Sequence, residues 1–120
     1  MTYIPGMTEP LHDTHETAPF MARCTRLGLT EADRDDMVLQ VARDPSAGAL
    51  IKGSGGLRKV RWGGSGGYRI LVAYFDKDSP AVLMSILAKN QQANFTAAQI
   101  KLLHAQVKAI KDARRRRKNE

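Results

Sequence analysis

Apolar residues recur at three- and four-residue intervals in the first part of the chain and at two in its middle. Over residues 18–27, Phe20, Cys24 and Leu27 share one side of a helix, and Gly28 is placed to end it. Thr30 then opens Thr-Glu-Ala-Asp, a capping-box pattern in which Thr30 caps a second helix and Asp33 answers it. That helix carries Met37, Val38 and Val41 on one face as far as Arg43, and Asp44-Pro45 stops it. Two short helices packed as a hairpin are expected.

Residues 48–56 read as loop. In LRKVRW the period becomes two, so Leu57, Lys59 and Arg61 point one way while Arg58, Val60 and Trp62 point the other. YRILVAYF, from Tyr68, and AVLMSILAK, from Ala81, are near-continuous apolar runs suited to central strands covered on at least one face. Gly63 to Gly67 turn the chain between the first two strands, and Asp76 to Pro80 between the second two. Connections this short make an antiparallel meander. Thr96 and Gln99 form a second capping-box pattern, ahead of a last helix striped by Ile100, Leu103, Val107 and Ile110.

The expected fold is α+β: an N-terminal helical hairpin, a three- to four-stranded antiparallel sheet and a C-terminal helix. Residues 1–16 hold two prolines, a glycine and few large apolar side chains, and are expected to form a weakly ordered arm with a short edge strand near Leu11 to Glu16. The folded domain is expected over residues 17–112, with 113–120 as a frayed basic tail beyond the apolar stripe. His12 and His15 have no third ligand nearby, so solvent exposure is expected and a metal site is not.

A length of 120 residues suits one domain with one core. No apolar run approaches the roughly 20 residues that span a bilayer. The N-terminus also lacks the basic-then-apolar order of a signal peptide, so a cytoplasmic protein is expected. A single cysteine excludes an internal disulfide, and Cys24, at helical spacing, is expected to be a buried small hydrophobe.

The net charge of +7 is concentrated in two places. Arg114 to Lys118 carry five positive charges, and residues 51–69 carry five more, Lys52, Arg58, Lys59, Arg61 and Arg69, with no acid among them. The rest of the chain holds nine basic and twelve acidic residues. Clustering of that kind points to a polyanionic partner. GSGGLRK is not a phosphate-binding P-loop, because no Ser or Thr follows the lysine and a strand, not a helix, comes next.

Lys59 and Arg61 share a strand face, Arg69 starts the neighbouring strand across the turn, and Lys89 ends the third strand. Cations brought together in a sheet repel one another unless an anion sits among them. RNA carries its own nucleophile, the 2′-hydroxyl. A lysine held among arginines has its ammonium form disfavoured and can take that proton, while arginines clamp the phosphate oxygens. Such chemistry needs neither histidine nor a metal or other cofactor.

The blocks HETAPF, LGLTEADRD, DPSAGALIKGSGGLRKVRW, SGGYRILVAYF and AKNQQANFTAAQ together resemble the RelE/ParE superfamily of toxins of bacterial type II toxin–antitoxin systems, on the HigB/RelE side. The likeness runs over about residues 15–110, and its most specific part is GxGGLRKxRW followed by GGYR and an AKN corner. It implies a RelE-like fold, ribosome-dependent cleavage of mRNA with contacts to rRNA, and neutralisation by a cognate antitoxin protein. By position it implies catalytic roles for Lys59, Arg61, Arg69 and Lys89, and RNA contacts from Arg58, Lys52, Tyr68, Tyr74 and Asn90. The sequence departs from that pattern in its short GGSGG turn, where relatives have a longer Lys-rich loop, and in Asn90, where many have arginine. Two other readings fit the same residues: a ParE-like toxin that inhibits a topoisomerase, and a catalytically inactive relative that binds nucleic acid or its antitoxin.

Overall fold

The computed structural model describes residues 11–64, 67–92 and 94–118. In chain order the elements are β1 (Thr14–Glu16), α1 (Ala18–Arg26), α2 (Glu31–Arg43), β2 (Ala49–Leu50), β3 (Leu57–Trp62), β4 (Tyr68–Ala73), β5 (Ala81–Ala88) and α3 (Ala97–Lys118). Most of the arm expected at residues 1–16, and Ser65-Gly66 of the hairpin turn, lie outside the described residues.

Local chemistry sets the helix ends. Thr17 caps α1 by accepting from the Phe20 N–H at 3.3 Å, and its hydroxyl also donates to the Leu83 carbonyl at 2.9 Å, which fastens the helix start to β5. At α2 the capping box is formed as expected: Asp33 N–H to Thr30 Oγ1 at 3.1 Å and Thr30 N–H to Asp33 Oδ2 at 2.9 Å. Gly28 leaves α1 at φ +76°, where a Cβ would be strained.

The protein is α+β, but its sheet departs from the expected three- to four-stranded antiparallel one. It has five strands in the order β1-β5-β4-β3-β2, and β1 pairs parallel to β5. β1 is polar because backbone bonds hold it. Ala81 N–H reaches Asp13 O at 2.9 Å and Thr17 N–H reaches Leu83 O at 3.2 Å, with no alternating apolar side chains needed. β2 occupies two residues of the expected loop, paired with Arg58 and Lys59. A shift of register between Leu71 and Val72 leaves Met84 of β5 as the extra residue of a bulge. His12, expected in solvent, is half-buried: its Nε2 lies 2.6 Å from the Ser79 carbonyl and its ring packs edge-on against Tyr74.

The sheet is covered on both faces. One core joins Phe20, Cys24, Met37 and Val41 of α1 and α2 to Val60, Ile70, Val72, Leu83 and Ile86. The other joins Leu103 and Val107 of α3 to Leu57, Leu71, Ala73, Val82 and Met84. Phe20 and Met37 have no exposed surface, and burial of each contributes about 2 kcal/mol. The last helix does not stop at the apolar stripe; α3 runs through the basic segment to Lys118. Among the described residues no helix is long and apolar enough to cross a membrane.

Candidate functional site

The pleat decides which side chains meet. β3 and β4 pair Lys59 with Leu71 and Arg61 with Arg69, and β5 sets Leu87 on the far side of Arg69. Paired positions share a face, so all three cations lie on the α3 side of the sheet. α3 packs on the Leu57 and Ala73 end of that face, and the cations occupy the other end. Lys89, just past β5, is held there by its N–H to Gly67 O at 3.0 Å.

Lys59, Arg61, Arg69 and Lys89 thereby line one open cleft of about 630 Å³, with Gln40 and Asn94 among its other walls and no acidic side chain. Arg69 is 9% exposed. Among the described residues its guanidinium makes one hydrogen bond, from Nη1 to the adjoining Tyr68 carbonyl at 3.2 Å. Among the described residues the ion pairs are Arg34–Glu16 and Arg114–Asp76, so no carboxylate meets Arg69. A charge buried without a counter-ion is expensive, and Arg61 directly opposite adds like-charge repulsion.

Two neighbours set the shape of this cleft. Gln40 of α2 donates from Nε2 to the Arg61 carbonyl at 2.7 Å, and Lys59 donates from Nζ to Asn94 Oδ1 at 3.2 Å. Sequence reasoning missed both. Gln40 sits on the polar side of its helix and Asn94 in a loop, so periodicity gave no signal for either. A third missed residue is Gly48, where a Cβ would lie 2.7 Å from the Lys59 carbonyl oxygen, so this wall of the cleft requires glycine.

The other sequence candidates lie elsewhere. Arg58 is on the opposite face, where its Nη1 donates to the Ser46 and Gly48 carbonyls at 3.1 and 3.0 Å and pins the loop before β2. Tyr68 is on that same face against Trp62, with ring centroids 5.8 Å apart, and Tyr74 packs on the α1–α2 core beside His12. Lys52 is exposed in the turn after β2, and Asn90 is exposed and does not line the cleft.

A larger cavity, about 810 Å³, lies between the second half of α3 and the β4–β5 turn. Its Arg114 and Ser79 side chains are engaged within the fold. Arg114 donates to both Asp76 oxygens at 3.2 and 3.3 Å, and Ser79 Oγ donates to Asp76 Oδ1 at 3.1 Å. Partial desolvation pushes the Asp76 carboxyl up, but bonds from the Asp78 N–H, Arg114 and Ser79 outweigh it and hold the group below its ordinary range. Cys24 is 2% exposed, as expected. Burial pushes its thiol up to about 11, with Arg34 opposing and Glu16 adding to the shift. Neither cavity wall nor thiol offers the free, convergent charge of the cationic cleft.

This arrangement of helices and sheet recurs in a solved structure. A double arginine-to-alanine mutant of the E. coli toxin RelE, in the free state, matches with a TM-score of 0.51. The fold is RelE-like. The match covers 69% of this chain and 88% of that one at 15% sequence identity, a level at which likeness is of fold. No family model matches the chain. Within this RelE-like fold the cleft is built on β3, β4 and the end of β5, the rigid centre of the sheet.

Proposed function

We propose that this protein is the toxin of a type II toxin–antitoxin system, of the HigB/RelE kind, and a metal-independent endoribonuclease that cuts mRNA on the ribosome. The observation that carries the reading is Arg69, a nearly buried arginine with no carboxylate partner among the described residues, lining a cleft with Lys59, Arg61 and Lys89. A phosphodiester supplies the missing counter-charge, and the openness of the cleft admits a strand rather than a small enclosed ligand.

In the proposed reaction the 2′-oxygen attacks the adjoining phosphorus as Lys59 Nζ, acting as the general base, takes the hydroxyl proton. The bond to the 5′-oxygen breaks and that oxygen takes a proton from solvent water in the open cleft, giving a 2′,3′-cyclic phosphate and a 5′-hydroxyl. Arg61 and Arg69 hold the phosphate oxygens through N–H donors already in place, so stabilisation of the transition state needs little reorganisation. Lys89, exposed at the rim, fixes the strand as it enters. The ribosome supplies the alignment of the mRNA, and the partner that silences the protein in the cytoplasm is a cognate antitoxin.

The test is transcript-end mapping after induced expression in bacteria, comparing a reporter mRNA with a copy lacking its start codon. Cuts in the translated copy alone, bearing 5′-hydroxyl ends and lost in Lys59→Ala, are expected. No cuts in either copy overturns the nuclease reading and leaves a toxin that acts by binding, or an inactive relative.

A further inference from the structure

We infer that Asn94 is the positioning residue that aims Lys59 into the cleft, braced through Gln92 on the N-terminal cap of α3. The inference rests on the nuclease reading for its consequence and on hydrogen bonds for its geometry. Lys59 Nζ donates to Asn94 Oδ1 at 3.2 Å across 35 residues of sequence. Asn94 lies in the loop between β5 and α3, and that loop is fixed at both ends. At the β5 end, the Gln91 and Gln92 N–H groups both donate to the Ala88 carbonyl, at 3.0 and 3.1 Å.

At the α3 end the capping box is shared. Gln99 Oε1 accepts from the Thr96 N–H at 2.8 Å, and Gln99 N–H donates to Thr96 Oγ1 at 3.1 Å. The same Gln99 oxygen accepts from Gln92 Nε2 at 2.8 Å, and Gln92 Nε2 also donates to the Asn94 carbonyl. A chain of bonds thus runs from the first turn of α3 through Gln92 and Asn94 to the lysine amine. Phe95, next in sequence, packs on the α3 core and anchors the loop from beneath.

The chemistry explains an amide at this position. A lysine side chain has four rotatable bonds, and ordering it ahead of substrate removes freedom that binding would otherwise have to remove. An acidic residue would also orient it, but would hold the proton on nitrogen and cancel the charge that recruits phosphate. An asparagine oxygen accepts one N–H and adds no charge. The charged groups facing Lys59 are Arg61 of its own strand, Arg69 of β4 and Lys89 after β5, with neutral Gln40 from α2 and no acid.

The full chain is tested with ribosomes programmed with a short mRNA, and separately by competitive labelling of Lys59 with acetic anhydride across pH, read by mass spectrometry. Asn94→Ala is expected to lower kcat on the order of tenfold or more with KM little changed. Asn94→Asp is expected to move both the acid limb of the rate profile and the labelling curve of Lys59 upward by about one pH unit. Gln92→Ala, which removes the brace and keeps the amide, is expected to follow Asn94→Ala at smaller size. Thermal melts confirm that each variant folds. An unaltered kcat in Asn94→Ala together with an unmoved labelling curve in Asn94→Asp overturns the inference. If the unaltered protein fails to cut while the labelling curve still moves, the contact stands and the nuclease reading is what falls.

Discussion

Arg69, a residue 9% exposed, makes one side-chain hydrogen bond among the described residues and has an arginine directly opposite it, an arrangement that stability alone does not favour. A buried charge without a counter-ion costs stability, and an apolar side chain of similar length removes that cost. Arg69→Met is therefore expected to raise the midpoint of thermal unfolding in low-salt buffer, by roughly 4–8 °C for each 1 kcal/mol gained, and to remove the stabilisation that added phosphate is expected to give the unaltered protein. A lower midpoint would mean that the fold itself depends on the guanidinium. The face shared by Lys59 and Arg61 was legible from sequence, because strand alternation is local. The face and burial of Arg69 were not, because they follow from the register of β4 on β3 and from how neighbouring segments close around it. Nor were Gln40 and Asn94, whose bonds to the cationic strand span 21 and 35 residues.

At the scale of elements, the helix starts were written into the chain. Thr30 and Asp33 satisfy each other's backbone N–H groups, and Thr30→Ala is expected to cost about 1 kcal/mol, measured as a lowered urea midpoint with unchanged slope. The far part of α3 is held by tertiary contact instead, through Arg114 and Asp76. The Asp76 carboxyl is held below its ordinary range, so its contribution to stability is present above that range and is lost as pH falls through the lowered value. Stability of the unaltered protein should therefore fall more steeply in acid than that of Asp76→Asn, in urea titrations carried out across acidic pH. Parallel curves would show the pair to be without consequence. The strand least visible in sequence was β2, whose two residues fall in an expected loop and are held by the main chain of β3.

For the whole molecule, the proposed function predicts that the net charge of +7 acts with the cleft to set RNA affinity and its response to salt. A single strand contacting the four cleft cations should lose affinity with a log–log salt slope of about −3. Truncation after Arg114 keeps the pair with Asp76 and removes Arg115 to Lys118; it is expected to weaken binding and flatten the slope, measured by fluorescence anisotropy with a labelled RNA. An unchanged slope would leave the end of α3 without a role in RNA contact. By itself the sequence determined the type and order of the main elements, the ends of α1 and α2, and the shared face of Lys59 and Arg61. Periodicity, caps and turns are local, and each is complete within a few residues. Only the tertiary structure decided that β1 runs parallel to β5, that α3 covers one end of its face and leaves the cations open, and that an amide from a distant loop meets the lysine. Those outcomes depend on which surfaces pack together, and packing joins residues that no local pattern relates.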